Sequence, residues 1–213
     1  MKTPVLILGT RLLAVEVMDQ ITDIPGYEVA GFVENMNRAI CGEMLEGFPV
    51  YWIDEVSKLS RTHVAICALS TTLRKGYVEQ ASSLGLKFAT LIHPTARVSS
   101  RAKLGEGCFI SAMAAIGTHT TLGRSVFVNR GALIGHHTTI GDYCTIQPGS
   151  NVAGAITIGE QAYIGMGAMV LDKHTVGRGC VIGAGAVVTH NLPERVLALG
   201  VPAKIVKTEI EPK

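Results

Sequence analysis

Residues 128–146 read VNRGALIGHHTTIGDYCTI and belong to a six-residue repeat that runs through the second half of the chain. A step of six residues from Ile92 to Val188 meets valine, isoleucine or leucine at seventeen positions, without insertion or deletion. The next residue is often glycine. Neither the 3.6-residue period of a helix nor the two-residue period of a strand explains a strict six. The repeat predicts short strands with inward aliphatic side chains, joined by tight turns.

Three such strands close one triangular coil, so residues eighteen apart stack at the inter-strand spacing of about 4.8 Å. One column, two residues after the aliphatic position, is charged throughout, and three of its four vertical steps pair opposite charges. Its members are Glu106, Arg124, Asp142, Glu160 and Arg178. This column supports a coil of eighteen residues.

The composition is that of a soluble globular protein, with 213 residues that are 47% hydrophobic and 17% charged. The net charge of +2 includes no lysine or arginine block, which gives no electrostatic reason to expect nucleic acid or a membrane as partner. No apolar run resembles a signal peptide or a membrane span, so we expect a cytoplasmic location. The five cysteines show no CxxC spacing and are expected to be free thiols.

Residues 1–90 are interpreted separately as an α/β domain, ahead of a coil domain over residues 91–213. Strands are predicted over 4–9, 27–33, 63–69 and 87–92, and helices over 11–22 and 71–85. This alternation predicts a small parallel sheet of Rossmann type.

Gly9 after the first strand and Glu34 after the second stand where such folds bind phosphate and ribose. Arg11 is a candidate phosphate ligand, and a solvated arginine on the first helical turn is the alternative. The loop GTRLLA is not a GxGxxG motif, so a strand end without a ligand stays open as an interpretation.

His136 and His137 follow Ile134 at a coil corner, where side chains face solvent or a neighbouring subunit. The residue stacked above His136 is Gly154, which predicts a gap beside the imidazole. Imidazole titrates near neutral pH and is a candidate general base, and a backbone N–H along the coil near Gly154 is a candidate donor to a developing negative charge.

The repeat resembles that of the hexapeptide acyltransferases, which form a left-handed parallel β-helix and assemble as trimers. The segment GVPAKIV, residues 200–206, is similar to the tail that closes the coenzyme A site in many members. The preceding α/β domain and the motif VNRGALIGH resemble the branch of nucleotide 4-amino-sugar N-acetyltransferases and sialic acid O-acetyltransferases of bacterial glycan synthesis. This resemblance implies a homotrimer that transfers acetyl from acetyl-CoA to an amino or hydroxyl group of a sugar, nucleotide-linked in this branch.

In that branch a histidine seven residues after an asparagine acts as general base, which corresponds to His136 and Asn129. The next residue is commonly a carboxylate and here is His137, the alternative base. An Asp-Asp pair of the branch is replaced by Glu34-Asn35. Family positions that bind coenzyme A correspond to Gly154, Met166, Ala184, Gly200, Pro202 and Lys204.

Two other functions stay open. His119 and His137 are eighteen apart and stack, so a third histidine from another subunit could complete a zinc site like that of the β-helical carbonic anhydrases. The chain lacks the HxxxxH motif of those enzymes, and two exposed corner residues are the simpler interpretation, with no metal bound. The other alternative is a non-catalytic sugar-nucleotide-binding scaffold, in which the β-helix serves only to form the trimer.

Overall fold

The computed structural model describes residues 1–213 as an α/β region followed by a coil of parallel strands. The strands of the α/β region are β1 Thr3–Leu8, β2 Tyr27–Glu34, β3 Met44–Leu45, β4 Phe48–Trp52, β5 Val64–Cys67 and β6 Lys87–Phe88. Its helices are α1 Leu12–Thr22 and α2 Arg74–Ser83, with two 3₁₀ helices at Arg38–Ile40 and Ile53–Lys58. Neither α-helix has the length and apolar character needed to cross a bilayer.

The six strands form one sheet in the order β3-β4-β2-β1-β5-β6, parallel except for the β3–β4 hairpin. The central strand β1 is buried along Val5–Leu8, because α1 covers one face of the sheet and α2 the other. The predicted strands and helices of this region are present, with one difference. The segment predicted as a single strand over 87–92 is divided, since β6 pairs with β5 and the following strand starts the coil.

The coil contains seventeen two-residue strands, each ending at the predicted aliphatic position. They are β7 Leu91–Ile92, β8 Arg97–Val98, β9 Lys103–Leu104, β10 Phe109–Ile110, β11 Ala115–Ile116, β12 Thr121–Leu122, β13 Phe127–Val128, β14 Leu133–Ile134, β15 Thr139–Ile140, β16 Thr145–Ile146, β17 Asn151–Val152, β18 Thr157–Ile158, β19 Tyr163–Ile164, β20 Met169–Val170, β21 Thr175–Val176, β22 Val181–Ile182 and β23 Val187–Val188. Two further strands, β24 Leu197–Leu199 and β25 Lys204–Lys207, complete the chain.

From β7 to β20, each strand pairs with the strand three places later in the chain, in a register of eighteen residues, as in Phe109 opposite Phe127. This pairing builds three walls. Wall 1 runs from β7 through β10, β13, β16, β19 and β22 to β24 and β25; wall 2 contains β8, β11, β14, β17, β20 and β23; wall 3 contains β9, β12, β15, β18 and β21. From Val98 onward the aliphatic residues fill the interior together with Cys108, Cys144 and Cys180, which are buried free thiols. Ile92, the first aliphatic position of the repeat, is exposed instead, against the prediction.

The turns after walls 1, 2 and 3 form what we call the first, second and third corners. Glycine follows the aliphatic residue because successive coils approach closely there: a Cβ at Gly135 would lie 2.6 Å from the carbonyl carbon of Ala153. At the third corner, Arg124 lies 4.0 Å from Glu106 and Arg178 lies 3.7 Å from Glu160. The remaining member of the charged column, Asp142, instead accepts the backbone N–H of Arg124 at 2.8 Å.

The α/β region packs on wall 1, where Phe109 and Phe127 are buried against the core under α1. Arg74 of α2 is fully buried at this junction and donates to the carbonyl oxygens of Thr71 and Ser125, at 2.7 and 2.9 Å, and to that of Cys144. Burial lowers the pKa of this guanidinium to about 10, which leaves it charged at neutral pH. The guanidinium therefore joins the two parts of the chain.

Helix α1 and the residue that follows it also contact the first corner through three polar side chains. Glu16 pairs with Arg130 at 3.0 Å, Gln20 accepts from the hydroxyl of Ser111 at 2.7 Å, and Asp23 contacts the ring of His93 at 3.3 Å. The second half of α1 therefore has a fixed position relative to this corner.

Candidate active site

The histidine pair lies at the second corner, and both side chains are exposed. The Nδ1 atoms of His136 and His137 are 3.1 Å apart, and the two rings meet nearly at right angles. The backbone holds this turn on both sides, since the N–H of His137 donates to Thr118 O at 2.9 Å and that of Ala155 to His136 O at 2.8 Å. The pair is thus placed by the coil itself.

Gly154 lies directly beside the ring of His136. A Cβ at this position would be 2.7 Å from Cε1 and 2.8 Å from Nε2 of the imidazole. The gap predicted beside His136 is therefore taken by the imidazole itself, which needs glycine on the next coil in order to lie there. The N–H of Gly154 has no hydrogen-bond acceptor within the chain.

Other predicted residues lie at the first corner, on the far side of wall 2. Asn129 is buried, and its side chain holds the N–H of Arg130 at 2.8 Å and contacts Gln147 at 3.4 Å; no hydrogen bond links it to His136. The backbone N–H groups of Met166 and Ala184 have no acceptor within the chain. Within one chain, the residues predicted for catalysis and for coenzyme A are thus divided between two edges of the coil.

The predicted tail lies against the last strand of wall 2, between these two corners. Gly200 O accepts the N–H of Val187 at 3.0 Å, and the N–H of Ala203 donates to Val187 O at 2.7 Å. Pro202 and Lys204 are exposed. The tail is therefore fixed to the coil at the end opposite the α/β region.

A cavity of about 480 Å³ opens at the carboxyl ends of β1, β2 and β5 and includes the three residues predicted to bind the substrate. Gly9, with a φ of +118°, turns the chain there, and exposed Arg11 stands at the start of α1. Tyr77 of α2 also lines it, with its hydroxyl donating to Val33 O at 2.6 Å. The sequence did not predict Tyr77 at this cavity, because nothing in it places the hydroxyl at the strand ends.

Glu34 is held tightly at this cavity. One carboxylate oxygen accepts the hydroxyl of Thr10 at 2.5 Å, and the other accepts the N–H groups of Asn35, Met36 and Asn37 at 2.9, 2.7 and 3.3 Å. Burial opposes ionisation, but these hydrogen bonds outweigh it and lower the pKa of Glu34 below 4.5. The carboxylate is therefore charged at neutral pH and organises the loop that forms one wall of the cavity.

The rings of His119 and His137 do stack, with centroids 4.9 Å apart. No group of three histidine, cysteine, aspartate or glutamate side chains in the chain is arranged to hold a metal ion. His93, by contrast, is buried and hydrogen-bonded between Asp23 and Thr95.

Comparison with known proteins places this geometry in a family. A family model, bacterial transferase hexapeptide (six repeats), matches residues 119–154 and 155–190. A search of curated proteins found no match. A histidine-to-asparagine variant of perosamine N-acetyltransferase from Caulobacter crescentus, solved with CoA and GDP-perosamine, is 31% identical, with 96% of this chain and 97% of that chain covered and a TM-score of 0.88.

The chain belongs to the bacterial hexapeptide transferases, in the branch of the sugar N-acetyltransferases. This sugar N-acetyltransferase is also similar to the acetyltransferase domain of PglB from Neisseria gonorrhoeae, solved with acetyl coenzyme A: 28% identity, 97% and 100% coverage, TM-score 0.88. A third relative is WeeI from Acinetobacter baumannii, at 26% identity, 95% and 99% coverage and a TM-score of 0.84. The match to known left-handed β-helix acetyltransferases establishes the hand of the coil.

Proposed function

We propose that this sugar N-acetyltransferase transfers acetyl from acetyl-CoA to an amino group of a nucleotide-linked sugar, with His136 as general base. The observation that carries the proposal is the exposed imidazole of His136, packed against Gly154, whose N–H has no acceptor within the chain, in a fold shared with sugar N-acetyltransferases. The relative solved with CoA and GDP-perosamine supports acetyl-CoA and a nucleotide sugar as the two substrates. We place the reaction in the cytoplasm, where acetyl-CoA is available.

We assign the two substrates to the two parts of the chain. Residues 1–90, as a Rossmann-like domain, bind the nucleotide in the cavity at the strand ends, where Arg11 supplies a positive charge for the phosphates. Residues 91–213 bind coenzyme A along the coil. The unpaired N–H groups of Met166 and Ala184 are suited to the amide carbonyls of the pantetheine arm, and the tail with Gly200, Pro202 and Lys204 closes the end of that site.

The chemistry requires one proton transfer and one oxyanion donor. The amino nitrogen attacks the thioester carbonyl, and Nε2 of His136 takes the proton that this nitrogen must lose. The N–H of Gly154 donates to the oxygen that becomes negative during the attack. The C–S bond then breaks, and His136 returns its proton to the sulfur of CoA.

We infer that the protein works as a homotrimer, because one chain carries the parts of the site on separate corners. Wall 2, which lies between these corners, exposes Leu133 by 45% and Met169 by 48%. Packing this face against another subunit removes apolar surface from water and brings the first corner of one chain toward the second corner of its neighbour. The resulting cleft contains Met166 and Ala184 on one side and His136 on the other.

Thiol release from acetyl-CoA tests the proposed function, with UDP-, GDP-, dTDP- and CMP-linked amino sugars as acceptors. We expect one of them to support turnover, and His136→Ala to lower kcat by about 10² to 10⁴ with trimers and acetyl-CoA binding intact. Metal chelation should leave the activity unchanged. Sugar nucleotide binding without thiol release would favour the scaffold, and loss of activity on chelation with recovery on adding zinc would favour a metal site.

A further inference from the structure

We propose that His136 and His137 form a single hydrogen-bonded base, in which His137 selects the tautomer of His136 and shares its positive charge. This inference rests on the proposed function and concerns the regulation of the same site by pH. His137 is a positioning residue in this arrangement, because it acts through His136.

Only one hydrogen can lie between the two Nδ1 atoms. Two Nδ1 atoms 3.1 Å apart form a hydrogen bond when one of them carries hydrogen and the other does not. With the hydrogen on Nδ1 of His136, the ring presents an unprotonated Nε2, which is the ring nitrogen nearer to Gly154. With the hydrogen on His137, Nε2 of His136 would carry a proton and could not act as a base. The active tautomer is thus the one in which Nδ1 of His137 accepts the Nδ1 hydrogen of His136.

The same contact explains how protonated His136 is stabilised although the next residue is a histidine and not a carboxylate. When Nε2 of His136 takes the proton of the amine, the hydrogen between the two Nδ1 atoms lies in an imidazole–imidazolium pair, which is stronger than a neutral hydrogen bond. The positive charge is then distributed over both rings. Return of the Nε2 proton to the leaving thiolate restores the starting tautomer, so no proton is gained or lost over the cycle.

If the pair takes up a second proton, Nδ1 of His137 can no longer accept a hydrogen bond. Two positive charges then lie side by side. The ring of His119, stacked 4.9 Å below His137, is a third titratable group at this corner. Two coils above His136 lie Asp172 and Lys173, paired with each other at 3.9 Å, and His190 occupies the same column one coil further. None of these is hydrogen-bonded to the pair, so His137 is the titratable group in hydrogen-bond contact with His136.

Replacement of His137 by aspartate and by asparagine tests the inference. Both residues tolerate the left-handed backbone of this position, with its φ of +56°, and both can accept the Nδ1 hydrogen of His136. Aspartate holds an imidazolium more strongly than a neutral ring does, so His137→Asp should move the acid limb of kcat/KM upward by about 1 pH unit or more. His137→Asn cannot share the charge and should move it downward, with roughly 10-fold lower kcat at neutral pH.

His190→Asp is the matched control, since it makes the same change at the same edge of the coil without contact to the pair. We expect its pH profile to follow the wild type. Equal loss of activity at all pH values in both His137 variants, with the acid limb unmoved, would overturn the inference and leave His137 a structural role. Full activity of His136→Ala would instead overturn the proposed function.

A second measurement does not depend on turnover. In the ¹⁵N spectrum of imidazole-labelled wild-type protein, with His136→Ala and His137→Ala for assignment, Nδ1 of His136 should be protonated and its Nε2 unprotonated at neutral pH. The opposite tautomer would refute the pair as described, whatever the activity of the variants.

Discussion

The imidazole of His136 and the backbone of Gly154 are in direct contact, so that no side chain can occupy position 154 while the ring keeps its place. One glycine on the next coil therefore determines where the candidate base lies. Gly154 does not have a positive φ. Glycine is therefore required here by the contact with the ring and not by the backbone conformation.

Gly154→Ala should therefore displace the ring without unfolding the coil. We expect kcat to fall by roughly 10²-fold, at the lower end of what a general base contributes, while thermal unfolding changes little. Gly76→Ala in α2 is the control, because a Cβ there meets nothing within 4 Å and should leave kcat unchanged. Wild-type turnover in Gly154→Ala would show that the ring of His136 does not need this position.

Mixed trimers test whether one site takes residues from two chains. At sugar-nucleotide concentrations below the KM, His136→Ala and Glu34→Ala subunits are each expected to be weakly active alone. Mixed equally and reassembled, they should regain about a quarter of wild-type activity, because a quarter of the interfaces then combine two intact halves. The measurement is thiol release before and after reassembly. If both halves belong to one chain, no mixture recovers activity.

Glu34→Gln should raise the KM for the sugar nucleotide roughly 10-fold, since hydrogen bonds to a charged group are the stronger ones, with little change in the KM for acetyl-CoA. Glu28→Gln, on the exposed face of the same strand, is the control. Equal effects on both KM values, or on neither, would assign Glu34 a purely structural role.

The ionisation of Glu34 also predicts how stability depends on pH. Its folded-state pKa is lowered below the unfolded value of 4.5, so its contribution is complete above that pH and is lost as pH falls through the folded value. The difference in free energy of unfolding between wild type and Glu34→Gln should thus shrink below pH 4.5. Denaturant unfolding at a series of pH values measures it, and a difference that stays constant in acid would contradict the lowered pKa.

The pH dependence of the His136→Ala defect distinguishes an amine from a hydroxyl acceptor. As pH rises, more of an amine is already neutral, so it depends less on a base. We expect the ratio of wild-type to variant kcat to narrow at high pH, because the relatives are N-acetyltransferases. A ratio that persists would point to a hydroxyl group on the acceptor.

The coil could be predicted almost residue by residue, because a single aliphatic position every six residues specifies both strand and wall. Each two-residue strand ends where the repeat places it, from Ile92 to Val188. The β3–β4 hairpin escaped prediction, since two short strands in Met44–Trp52 carry no strong alternation. The division of residues 87–92 into two strands also escaped prediction, because it depends on the neighbouring strand with which each half pairs.

The candidate site was predictable in its residues and less so in its contacts. Stacking by eighteen correctly placed Gly154 above His136, but it could not show which way the imidazole turns. The Nδ1 contact of His136 with His137 and the hydrogen bonds of Glu34 depend on side-chain rotamers, which no column of the repeat specifies. The role of Arg74 at the junction was likewise invisible, because its acceptors on the coil, Ser125 and Cys144, lie 51 and 70 residues away in the sequence.

The buried guanidinium of Arg74 has a consequence for substrate choice. Its bonds to the carbonyl oxygens of Ser125 and Cys144, with the contacts of α1, leave the cavity no hinge on which to move relative to the coil. On the proposed assignment of the two substrates, the span from the nucleotide to the acetylated nitrogen is then constant. Under the proposed function, an acceptor must match that span by its own length: a free amino sugar cannot occupy both ends at once, and a sugar monophosphate without the nucleoside loses its anchor.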